Sequence, residues 1–114
     1  MINDKTLYIL WANADINTSL HMVLMYAENS LSHAWWDKVT VIIWGAPTKL
    51  IAENTSVQEE MKIAMENGVK FSACISCAKK LGVVEKLQEL GIEVIPWGEP
   101  LTKILMENGK LLTV

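Results

Sequence analysis

The chain has 114 residues (12.8 kDa), 51% of them hydrophobic, and a mean hydropathy of +0.23. These values fit one compact domain over residues 1–114 and exclude a disordered chain. The net charge is -3 and all ten cations are lysine. The bidentate guanidinium that reads phosphate and guanine edges is missing, so nucleic acid is not an expected partner.

No apolar run reaches the ~18 residues of a membrane span, so no membrane span is expected. Polar Asn3, Asp4 and Lys5 stand where a signal peptide needs its apolar core. The two cysteines lie three residues apart, too close to staple a secreted fold. A cytoplasmic protein with reduced thiols follows. So short a chain has little interior for so much apolar surface, and a homo-oligomer is expected.

Thr6–Trp11 is a β-rich apolar run with little alternation, the pattern of a strand covered on both faces. Leu20, Val23, Leu24, Ala27 and Leu31 then form a helical stripe. Met22, Met25 and Tyr26 fall off that stripe, so the helix is either deeply buried or covered by another subunit. Val39–Trp44 reads as the second strand, and Gly45–Thr55, rich in Ala, Pro, Thr and Asn, as the longest loop. Ser56-Val57-Gln58-Glu59 spells a capping box opening a helix with Val57, Met61, Ala64 and Met65 on one face. Val69–Cys74 is the third strand, and a helix begins near Ser76 or Cys77. Val83, Leu87 and Leu90 recur at helical spacing before the fourth strand, Ile92–Ile95. Pro100 suits the first turn of a helix carrying Leu101, Ile104 and Leu105. Lys110–Val114 is a last strand whose direction is open, and Gly68, Gly91 and Gly109 act as C-cap glycines.

The order β-α-β-α-β-α-β-α-β implies an α/β fold with a mostly parallel five-stranded sheet and helices on both faces. Ligands of such sheets gather beyond the carboxyl ends of the strands. There the chain places Trp11 and Asn13, then Trp44 and Pro47, then Cys74, Ser76 and Cys77, and finally Trp97. Together these suggest an apolar, partly covered pocket around a thiol, with Trp11, Asn13, Trp44, Pro47, Ser76 and Trp97 as its walls; singly, each aromatic is ordinary packing.

Cys74 and Cys77 are the candidate catalytic residues. A thiol where a strand turns into a helix faces the positive end of the helix dipole, which favours thiolate, the nucleophilic form. Lys79 and Lys80 add positive potential. The spacing also permits a disulfide. A structural zinc site needs four ligands; His21 and His33 are twelve apart and read as packing or solvated residues, so no metal or cofactor is expected. A thioredoxin-like arrangement fits poorly, because two βα units precede the C-x-x-C. Three readings stay open: sulfur chemistry at Cys74, a non-catalytic oligomeric binding module with a Trp-lined pocket, and a dithiol–disulfide redox protein.

Phe71-Ser72-Ala73-Cys74-Ile75-Ser76-Cys77-Ala78-Lys79-Lys80-Leu81-Gly82-Val83 resembles the DsrE/DsrF-like family of small sulfur-relay proteins. So do Trp44-Gly45-Ala46-Pro47-Thr48-Lys49-Leu50, Gly98-Glu99-Pro100-Leu101 and Gly109-Lys110-Leu111-Leu112-Thr113-Val114. In that family a strand ends in a cysteine, with a glycine eight positions on; Cys74 and Gly82 keep this spacing. The resemblance implies a three-layer flavodoxin-like fold and assembly into dimers, trimers or hexamers. It also implies a persulfide on Cys74, exchanged with sulfur donor and acceptor proteins. Two departures stand out. Lys80 and Leu81 precede Gly82 where relay subunits often carry arginine, and Cys77 is additional. The chain thus resembles an uncharacterised branch that carries the cysteine pair, and a sulfurtransferase activity is an open expectation.

Overall fold

In the computed structural model, residues 5–114 are described; Asn3 and Asp4 of the polar start lie outside them. The five apolar runs become strands β1 (Thr6–Trp11), β2 (Lys38–Ile43), β3 (Lys70–Cys74), β4 (Glu93–Ile95) and β5 (Lys110–Thr113). They pair in the order β4-β3-β2-β1-β5, every pair parallel. The last strand, whose direction the sequence left open, joins β1 with Leu10 opposite Thr113.

Between β1 and β2 a helical stretch runs as α1 (Ile16–Thr18), a π-helical segment (Ser19–Leu24) and α2 (Met25–Ser32). Next come α3 (Pro47–Glu53) and α4 (Thr55–Glu66), then α5 (Ile75–Leu81) and α6 (Val84–Glu89), and α7 (Gly98–Met106) leads into β5. The steps β1 to β2 to β3 to β4 all move one way across the sheet, so right-handed crossovers put their helices on one face. The step from β4 back to β5 reverses direction and sends α7 to the other face. Packing agrees. Ala78 of α5 and Leu87 of α6 join Leu7, Ile9, Trp11, Val41, Ile43 and Phe71 in the main core. Leu101 and Ile104 of α7 pack instead with Ile42, Cys74 and Trp97.

The two faces are therefore unequally covered. Along β1, Leu7, Ile9 and Trp11 are buried under the many-helix face while Tyr8 and Leu10 are half-buried, an alternation where uniform burial was expected. One helix cannot cover five strands. Ile42 in the middle of the sheet is sealed by α7, yet α7 itself buries no residue fully.

Three local expectations are corrected. The segment Gly45–Thr55 is not a loop: Pro47 opens α3, where its fixed φ and missing N–H suit a first turn. Asn54, not Ser56, caps α4, accepting from the Val57 N–H at 2.9 Å, because the tight break between α3 and α4 puts Asn54 in the extended conformation a cap needs. The start of α5 at Ile75 agrees with the expected helix near Ser76, and Cys74 takes the cap position. After α7 the left-handed residue is Asn108 (φ 59°), not Gly109. Gly109 is needed for another reason: a Cβ there would lie 2.7 Å from Ile104 Cγ2.

Candidate functional site

Along β3, Phe71 and Ala73 point into the main core, so Ser72 and Cys74 face α7. Ile95 of β4 is the register partner of Cys74. The chain leaves β3 toward one face and leaves β4 toward the other, so the topological switch point lies between these two strands, at Cys74 and Trp97. Cys74 is 4% exposed and packs with Ile42 and Trp97. It caps α5 with extended backbone (φ -70°, ψ 121°) and makes no side-chain capping bond. Cys77, one turn on, is half-buried against the same cluster, and both thiols are free.

Trp97 is held in place by a polar chain that crosses three elements. Its indole N–H donates to Ser72 Oγ at 2.8 Å, and the Ser72 hydroxyl donates to Glu93 Oε1 at 2.7 Å. Glu93 Oε2 meets Lys70 Nζ at 3.4 Å at the surface. A buried indole N–H and a buried hydroxyl are thereby both satisfied beside Cys74. Sequence reasoning misses Ser72 and Glu93, although Ser72 lies two residues before Cys74 and so shares its face of the strand.

The other expected wall residues separate. Trp44 is half-buried and packs in the cluster of Cys74 and Trp97. Trp11 is fully buried in the main core on the opposite face of the sheet, its indole N–H donating to the Asn13 carbonyl at 2.8 Å. Asn13 is exposed, and its Oδ1 accepts from the Asp15 N–H at 2.7 Å. Pro47 is buried at the start of α3, and Ser76 is exposed on the first turn of α5.

Beside Cys77 a cleft of about 620 Å³ opens between α3, α5 and the loops after β1 and β2. Ala14, Gly45, Ala46, Leu50 and Leu81 form apolar walls. Cys77, Lys49, Lys80 and Glu53 supply its reactive and charged groups. Of the site residues singled out from sequence, Cys77 is the one at this cleft. Its other wall residues lie on α3 and α5 and in the loops after β1 and β2, and the packing of α3 beside α5 brings them together. No helix among the described residues is long and apolar enough to cross a membrane.

Similarity to known proteins agrees with this architecture. A conserved protein of unknown function from Bacteroides thetaiotaomicron matches at TM-score 0.94 and 37% identity, over 96% of this chain and 95% of that one. A protein of unknown function from Methanobacterium thermoautotrophicum matches at TM-score 0.77 and 12% identity, over 98% of this chain and 100% of that one. The ychN protein of E. coli matches at TM-score 0.70 and 15% identity, over 97% and 99%. The last two share the fold. Comparison with curated proteins gives no match. The sequence profile of the DsrE/DsrF-like family matches residues 5–113. The chain belongs to the DsrE/DsrF-like family, a membership that suggests sulfur relay at the level of the family.

Proposed function

We propose that this protein is a cytoplasmic sulfur carrier that holds sulfane sulfur as a persulfide on Cys74, with Cys77 tuning or resolving it. One observation carries the reading: Cys74 ends β3 and caps α5, with Cys77 one turn away in the same apolar cluster. The Cys74 thiolate attacks the outer sulfur of a donor persulfide. The donor S–S bond breaks, its thiolate leaves and takes a proton, and Cys74 gains one sulfur. Attack by an acceptor thiol on that outer sulfur runs the same exchange in reverse. The first-turn N–H groups of α5 have no intrahelical acceptors and can face the developing charge. Burial under Trp97 shields the persulfide from water and stray thiols. If Cys77 attacks the inner sulfur instead, a Cys74–Cys77 disulfide forms and hydrosulfide leaves.

The partners on this reading are donor and acceptor proteins and further copies of the chain. Self-association is supported by the half-bare sheet face at Tyr8, Leu10 and Leu111 and by Leu105 and Met106, 57% and 79% exposed on α7. The test is intact-mass analysis after incubation with inorganic polysulfide, followed by peptide mapping. Gain of one sulfur atom, mapped to Cys74, is expected. No gain, or stable sulfur on Cys77 alone, overturns the assignment.

A further inference from the structure

The buried thiol and the accessible one are different residues. Cys74 is 4% exposed and is not on the cleft, whereas Cys77 is half-buried and forms part of its wall. A cleft of about 620 Å³ falls in the range of small-molecule sites. It is also too apolar for a purely hydrophilic ligand.

Its charged groups are Lys49 on α3 and Lys80 on α5, against the single carboxylate of Glu53. None of the three is in an ion pair; among the described residues the one ion pair joins Lys70 to Glu93. The cleft therefore carries an excess positive charge at the rim of an apolar wall. That combination suits an anion with a hydrocarbon body.

Resting on the sulfur-carrier reading, we propose that this cleft binds a small amphipathic anion bearing sulfane sulfur, an organic persulfide with a carboxylate, and that for this donor Cys77, ahead of Cys74, is the first thiol to react. The hydrocarbon body lies against Leu50 and Leu81, and the carboxylate faces Lys49 and Lys80. The Cys77 thiolate attacks the outer sulfur, the donor S–S bond breaks, and the donor leaves as a thiol after taking a proton. The Cys74 thiolate then takes the same outer sulfur from Cys77, which returns as thiolate. No electrons enter or leave; one S–S bond is exchanged for another at each step. Cys77 thus passes sulfur inward from the cleft to a site that solvent barely reaches.

The experiment follows sulfur transfer to Cys74 with time, by quenched mass spectrometry and peptide mapping. The donors are the persulfides of ω-mercaptooctanoate and of ω-aminooctanethiol, alike in length and opposite in charge, with inorganic polysulfide as a third. Wild type is expected to load faster from the carboxylate donor than from the ammonium donor by about fivefold, the scale of a few exposed charge contacts. Combined Lys49→Glu and Lys80→Glu, both exposed, should abolish or invert that preference. Cys77→Ser should load Cys74 from the carboxylate donor at least about tenfold more slowly, since the cleft then holds no nucleophile. Cys77→Ser keeping pace with wild type, or a charge preference that survives the lysine reversal, overturns the inference. Wild type loading Cys74 from polysulfide but not from the carboxylate donor also overturns it and leaves the carrier reading standing. Wild type gaining sulfur from none of the donors removes both.

Discussion

The indole of Trp97 is anchored to Ser72, its N–H donating to the serine hydroxyl at 2.8 Å. That bond ties the chain after β4 to the residue two before Cys74, and Ser72 in turn donates to Glu93. Removing the hydroxyl leaves a buried indole N–H without an acceptor, a loss of about 1–3 kcal/mol. Ser72→Ala should therefore lower the denaturant midpoint measurably and raise the alkylation rate of Cys74, because Trp97 no longer has a fixed seat over it. A variant as stable as wild type, with unchanged Cys74 reactivity, would show that packing alone positions the indole.

Helix α4 discriminates between two caps. Asn54 accepts from the Val57 N–H, while Ser56 is exposed within the first turn. Asn54→Ala should cost about 1 kcal/mol and Ser56→Ala much less. Chemical denaturation of the two variants side by side decides it; equal losses would mean that the serine contributes a cap after all.

Two glycines should respond to alanine for different reasons. Gly82 follows α5 at φ 69° with open space where a methyl group would sit, so Gly82→Ala costs about 1 kcal/mol of backbone strain. Gly109 has no positive φ, but its Cβ would meet Ile104 Cγ2 at 2.7 Å and the Ile104 carbonyl oxygen at 3.0 Å. The carbonyl belongs to the backbone of α7 and cannot swing aside, so Gly109→Ala should cost about 1–3 kcal/mol. A shortened Ile104→Ala side chain would relieve only the methyl contact, leaving Gly109→Ala partly destabilising in that background.

Asp15 caps α1. Hydrogen bonds from the Thr18 N–H and the Thr18 hydroxyl, at 2.8 and 3.0 Å, hold its carboxyl below the usual aspartate range. A lowered folded-state value means that the cap's contribution is present above about pH 4 and fades as pH falls through the folded value below it. Carboxyl chemical shifts across an acid titration should show Asp15 titrating below an aspartate in an unstructured peptide, and Asp15→Asn should remove that component of the pH dependence of α1. An unshifted titration would mean that the cap is broken in solution.

Leu105 and Met106 are exposed on the helix that alone covers one sheet face. In sedimentation velocity, wild type should run as an oligomer, and combined Leu105→Lys and Met106→Lys should give a smaller species of unchanged helix content. A monomeric wild type would remove self-association from the proposed function.

What the sequence determined by itself is local. Apolar runs of four to six residues such as Thr6–Trp11 and Lys110–Thr113 are strands because β-rich segments bounded by polar turns have few alternatives. Gly68 and Gly91 end helices because the left-handed backbone there suits glycine. The junction at Cys74 was legible for the same reason: an extended run meets a helical one at a single residue. The helix Pro47–Glu53 was hidden because its composition is that of a loop, and only Pro47 signals a start.

Tertiary structure decided what each residue faces. Trp11 and Trp97 both follow or end strands at the same edge of the sheet, yet Trp11 lies under the many-helix face and Trp97 under α7. Which side a residue occupies depends on strand order and on the handedness of every crossover, and these are set by contacts between segments far apart in sequence. The cleft at Cys77 arises in the same way. Neither α3 nor α5 contains it; it exists where their surfaces meet.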